Sequence, residues 1–95
     1  MYIYIAGPYT GGAPDGNLRA AADAAEAIHE KGHTPFIPHT SFLWGIVHEH
    51  DYEFWMDWCF EWLDTCDALL RLDGHSPGAD REVEYAKEHG IDVYH

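Results

Sequence analysis

Ninety-five residues hold one domain with one modest core, and 46% hydrophobic residues, fourteen aromatics among them, exclude a disordered chain. Five Lys plus Arg against seventeen Asp plus Glu give a net charge of −12, which repels phosphate backbones and anionic bilayers, so polymeric nucleic acid and membrane surfaces are excluded as partners. No apolar run approaches the roughly 20 residues of a membrane helix, and the opening MYIYIAGPYT lacks the basic start of a secretory leader.

Residues 2 to 6, YIYIA, are β-branched and aromatic and read as a buried strand. Gly7-Pro8 stops it, and a loop follows through Tyr9, Gly11, Gly12, Pro14 and Gly16. Such a glycine-rich loop between strand and helix either turns the chain or lets backbone N–H groups approach a ligand. It matches neither a P-loop nor a GxGxxG fingerprint. Residues 17 to 31 read as an alanine-rich helix with Leu18, Ala22, Ala25 and Ile28 or His29 on one stripe and Gly32 at its end.

His33 to Pro38 reads as a short second strand, with His39 just past it, near the carboxyl edge of a sheet. The stretch PHTSFLWGIVHEHD reads as a long aromatic loop, a lid or a subunit contact. His48, His50 and Asp51 within it are metal-ligand types, but no second cluster of fixed spacing completes a set, so solvated or capping roles are expected and no metal or other cofactor is called for. Asp51 to Thr65 reads as an amphipathic helix with Tyr52, Trp55, Cys59, Trp62 and Cys66 on the apolar stripe and Trp58 and Leu63 at its margins. Phe54 and Phe60 fall outside that stripe, as interface aromatics would. Cys59 and Cys66 lie two helical turns apart, about 10 Å, too far for a disulfide. Reduced thiols suit a cytoplasmic chain.

Ala68 to Leu72 is the third strand, and Ser76 and Pro77 carry the signals that start a helix reaching His89. Asp80, Arg81, Glu84, Lys87 and Glu88 form its wet face, and Ala79, Val83 and Ala86 its dry one. Glu82 sits on the dry flank, where a carboxylate is a partner of the helix dipole or a reagent. Ile91 to Tyr94 adds a fourth strand. The predicted fold is one α/β domain over residues 1 to 95: a small doubly wound parallel sheet of four strands, flavodoxin- or Rossmann-like, in the order 2-1-3-4. The Gly7 and Gly74 loops then border the crevice at the switch point between the first and third strands.

The run GADREVEYA, residues 78 to 86, resembles the G-[TA]-x-x-E-x-x-x-A signature of the nucleoside 2-deoxyribosyltransferase superfamily, which includes deoxynucleotide N-glycosidases. IYIAGPYT at 3 to 10 and CDALLRL at 66 to 72 resemble its opening strand and loop and its central strand, in the same order. The resemblance implies cleavage or exchange of the N-glycosidic bond of a nucleoside or nucleotide, or a module that keeps the pocket and has lost catalysis. By position in the motif, Glu82 matches the family nucleophile, Tyr4 the tyrosine that steadies it, and Asp67 the aspartate that begins the central strand. Gly7, Pro8, Tyr9, His39, Ser76 and Gly78 are the expected substrate contacts, with Ser76 facing a 5′-hydroxyl or phosphate. A further acid that the family often carries on the preceding helix falls at Cys59 here, flanked by Asp57 and Glu61. The resemblance also implies a homo-oligomer, a dimer or larger.

Overall fold

The computed structural model describes residues 1–8 and 14–95. Its elements are β1 (Tyr2–Ala6), α1 (Pro14–Glu30), β2 (Thr34–Phe36), a 3-10 turn (Pro38–Ser41), α2 (Phe42–Val47), α3 (Tyr52–Leu63), β3 (Ala68–Arg71), α4 (Pro77–Glu88) and β4 (Asp92–Tyr94). All strand pairs are parallel, in the predicted order β2-β1-β3-β4. Proline 35 sits in β2, an edge strand, where its missing N–H leaves no central ladder bond unmade.

Alternation along β1 divides the core in two. Ile3 and Ile5 face α1 and pack with Ala21, Ala25, Ile28 and Ala68. Tyr4 and Ala6 face the opposite side and pack with Leu63 and Cys66, with Leu69, and with Ala79, Val83 and Ala86 of α4. The sheet is therefore covered on both faces, as a parallel sheet must be.

Four expectations are corrected. The first helix starts at Pro14, and its buried stripe is Ala21, Ala25 and Ile28, while Leu18 and Ala22 are exposed. Alanine is so frequent in this helix that several faces read alike, and only the fit against Ile3 and Ile5 selects one. The second strand is three residues long, because Pro38 opens the 3-10 turn. The aromatic loop holds that turn and the short helix α2. In α3 the fully buried positions are Met56 and Leu63, with Tyr52 and Trp62 exposed. Its tryptophans pack on other rings: Trp44 of α2 meets Trp55 edge-on at 5.0 Å, and Trp62 stacks on Phe36 at the β2 edge of the sheet at 4.8 Å. Phe54 and Phe60 are likewise half-buried, stacked on His50 at 3.7 Å and on Tyr85 at 4.4 Å.

Among the described residues no group of three or more His, Cys, Asp or Glu gathers as a metal site requires. Asp51 instead caps α3 by accepting the Phe54 N–H at 2.8 Å. Cys59 and Cys66 are free thiols. No helix among the described residues is long and apolar enough to cross a membrane.

Candidate active site

Helix α4 forms as its sequence dictates. Ser76 accepts the Ala79 N–H at 3.1 Å as N-cap, Pro77 fills the first turn, and Ala79, Val83 and Ala86 bury against the sheet. That rotation carries Glu82 inward, to 6% exposure. There the Tyr4 hydroxyl donates to Glu82 Oε2. The phenol comes from β1, where the pleat aims Tyr4 at the α3 and α4 side and leaves it fully buried. A carboxyl and a phenol from opposite ends of the sequence thus share one bond inside the core.

Burial governs the protons of this pair. It pushes the Glu82 carboxyl up to about 7, against the pull of the Tyr4 hydrogen bond and the Arg71 cation. It also holds the Tyr4 phenol well above 10, helped by the neighbouring Glu82 and Cys59. Cys59, in hydrogen-bonding contact with Tyr4, is pushed up to about 11, chiefly by burial, and stays a thiol at neutral pH.

Glu82 opens onto a cleft of about 470 Å³. Gly7 and the start of α4, from His75 to Ala79, form one side of the lining, and Pro38, His39 and Ser41 of the 3-10 turn another. Tyr52, Trp55, Met56 and Cys59 of α3 complete it among the described residues. Two glycines make the closeness possible. At Gly74, with φ of +119°, a Cβ would stand 2.6 Å from Pro8 Cγ, so the two loops bordering the crevice touch because that residue has no side chain. At Gly78 a Cβ would stand 3.4 Å from the Tyr52 hydroxyl and 3.6 Å from Met56 Sδ, so glycine keeps α4 close to α3.

His39 is 3% exposed, and its Nε2–H donates to the Pro8 carbonyl at 3.0 Å. Burial lowers its pKa, partly offset by that carbonyl, which favours the neutral imidazole. The bond ties the turn after β2 to the loop after β1, so the Gly7-Pro8 segment is clamped by His39 on one side and Gly74 on the other.

The fold thus brings Tyr4, Gly7, His39, Ser76, Gly78 and Glu82 to one place, with Pro8 directly behind it. Asp67 is not brought there. It is exposed at the amino edge of the sheet, where Oδ2 accepts the Tyr2 N–H at 2.8 Å and so serves a strand end rather than the cleft. Tyr9, Gly11 and Gly12 lie outside the described residues. Among the lining residues that sequence reasoning did not place at the site are Tyr52, Trp55, Met56 and His75. The first two carried a signal, their place on the predicted apolar stripe of α3, which was assigned to the core rather than to a wall.

A family model described as a domain of unknown function, DUF4406, matches residues 1–95. No curated protein matches the sequence significantly. Among solved structures, a 2-deoxyribosyltransferase from the psychrotolerant bacterium Bacillus psychrosaccharolyticus is similar with a TM-score of 0.78 at 22% identity, over 98% of this chain and 69% of that one. A conserved protein from Enterococcus faecalis V583 is similar with a TM-score of 0.77 at 25% identity, over 97% of this chain. This chain spans 60% of the length of the Enterococcus protein. The resemblance read from GADREVEYA and its companion segments therefore holds at the level of fold. The chain belongs to the DUF4406 family, and its domain has the α/β fold of the 2-deoxyribosyltransferase it superposes on.

Proposed function

We propose that this protein cleaves or exchanges the N-glycosidic bond of a nucleoside or nucleotide, with Glu82 as the nucleophile. One observation carries the reading: a carboxyl 6% exposed, held by a buried phenol, on a helix whose start lines a cleft of about 470 Å³. A carboxylate fixed beside an anomeric carbon stabilises the positive charge of an oxocarbenium-like transition state and then bonds to it. In the first step a Glu82 oxygen bonds to C1′ and the C1′–N bond breaks. Its electron pair leaves with the base, which takes up a proton. In the second step water or another base attacks C1′ and releases the carboxylate, so two inversions retain configuration. Tyr4 supplies a hydrogen bond that favours the ionised form of a carboxyl otherwise kept protonated by burial. Tyr52 and Trp55 offer rings on which a planar base can rest.

Incubation with deoxynucleosides and their 5′-monophosphates, followed by chromatography for free base, tests the reading. Release by the wild type and none by Glu82→Gln, with folding retained, is the expected result. A specific observation favours a second reading, a module that binds nucleosides without turning them over. Glu82 is the one carboxyl among the described lining residues, and burial favours the neutral form of His39, so the described lining supplies no second carboxylic acid to protonate the departing base. Saturable binding without release of base selects it. A homo-oligomer belongs to the same proposal, with Leu43, Ile46 and Val47 of α2, each at least 65% exposed, as the surface it would cover; sedimentation equilibrium decides it.

A further inference from the structure

The chain has five cationic side chains besides its histidines, and the fold commits or removes all of them. Lys31 follows α1 and Lys87 ends α4, both toward the amino edge of the parallel sheet, away from Gly7 and Ser76. Arg19 is exposed on α1, which covers the other face of the sheet. Arg81 forms a two-pronged bond with Glu53 at 2.8 and 3.2 Å and lies 5.4 Å from the centroid of the Tyr52 ring, its charge matched by that carboxylate and itself absent from the lining. Arg71, the nearest to Glu82, donates to the carbonyls of Leu72 and Gly74 and to Asp80 at 3.1 Å, so it props the loop before α4 and does not line the cleft. Residues 9–13, Tyr-Thr-Gly-Gly-Ala, contain no Lys or Arg either.

The start of α4 is no better furnished for an anion. Pro77 has no N–H, the Ala79 N–H is taken by Ser76 Oγ, and the Asp80 N–H by the Ser76 carbonyl at 3.0 Å, which leaves the Gly78 N–H as the one backbone donor of that turn not turned to Ser76. Asp80 itself stands in the first turn and already answers the helix dipole. The lining otherwise offers two imidazoles, one of them the buried His39, against Glu82 and a net charge of −12.

We propose that the cleft selects the uncharged nucleoside and turns away its 5′-phosphate by charge. The inference rests on the glycosidic reading for its substrate family, but it concerns which member of a matched pair the site accepts. A phosphate dianion in this cleft meets a carboxylate with no Lys or Arg on the lining to bind it, and loses its hydration without replacement. The hydroxyl of a nucleoside needs only a hydroxyl or amide partner, which Ser76 or a loop backbone can supply.

The test compares kcat/KM of the intact protein for deoxynucleosides and their 5′-monophosphates, at low ionic strength and in about 0.5 M sodium chloride, where a Debye length of about 4 Å screens most of the field of the −12 chain on an incoming phosphate. A preference for the nucleoside of at least roughly tenfold that narrows in salt is expected. Equal or better turnover of the monophosphate overturns the proposal. So does a preference that salt leaves unchanged, since shape rather than charge would then reject the phosphate. If no base is released from either, equilibrium dialysis with the same pairs separates the two claims. Tighter binding of the nucleoside upholds the selection while the nucleophile role of Glu82 falls, and absence of binding overturns both. His75→Lys places a cation on the lining and is expected to raise kcat/KM for the monophosphate selectively.

Discussion

The two faces of the sheet are built from the same strands and serve different ends. On the α1 side Ile3, Ile5, Ala21, Ala25, Ile28 and Ala68 form a seam of aliphatic groups with no titratable member. On the other side the same pleat delivers Tyr4 to Glu82, with Cys59 beside them, and α3 stands far enough away to leave a cleft. The contrast teaches that alternation along one five-residue strand is enough to separate an aliphatic face from one that holds a paired carboxyl and phenol beside a cleft. It also shows where stability is given up: a buried carboxyl with a perturbed proton lies only on the second face.

The sharpest way to break the comparison is Glu82→Gln. Base release is expected to fall by roughly a thousandfold or more, measured by chromatography, while circular dichroism stays unchanged. Turnover near the wild-type level would return Glu82 to a structural role. The same variant probes stability. In the fold the carboxyl keeps its proton up to about pH 7, whereas in the unfolded chain it loses it near 4.5. Its folded pKa is raised, so this group's contribution to native stability is full below about 4.5, falls as pH rises to about 7 and levels off above that. The expected loss is about 3 kcal/mol, each pH unit of separation being worth about 1.4 kcal/mol. Glutamine cannot ionise, so denaturant melts of Glu82→Gln are expected to show no such decline and to exceed the wild type above pH 7.

Tyr4→Phe removes the donor that favours the carboxylate. The pH midpoint of the rate is expected to move upward by about one to two units, the worth of a hydrogen bond to a charged group of roughly 1.5–3 kcal/mol. A midpoint that stays put would mean the phenol only fills space. On the quiet face, Ala25→Leu is expected to cost about 1–3 kcal/mol by overpacking the seam while leaving the pH dependence of stability untouched. A change in that dependence would show that the two faces are coupled through the sheet. The smallest effect expected is about 1 kcal/mol for Ser76→Ala, the loss of one N-cap read from thermal melts.

Helix α4 was legible down to its faces because its instructions are local. The cap at Ser76, the proline after it and the 3.6-residue spacing of Ala79, Val83 and Ala86 lie within a dozen residues. Helix α3 was not, since tryptophan and tyrosine satisfy an apolar stripe equally well at a core or at a cleft wall. Tyr52 and Trp55 line the cleft, while the less conspicuous Leu63 is fully buried. Asp67 matched a family position yet spends its side chain on the Tyr2 N–H, at the edge of the sheet away from Glu82.

What the sequence alone determined is the alternation of strands and helices, from which right-handed crossovers lead to a parallel sheet, together with the start of α4 and the one carboxylate on that helix's dry flank, because strand, cap and periodicity are short-range properties of the chain. Tertiary structure decided that Glu82 meets a phenol from β1, that Gly74 and His39 clamp Pro8, and that every Lys and Arg lies off the cleft. Those are relations between segments far apart in the chain, fixed by which side chains the closed core leaves room for.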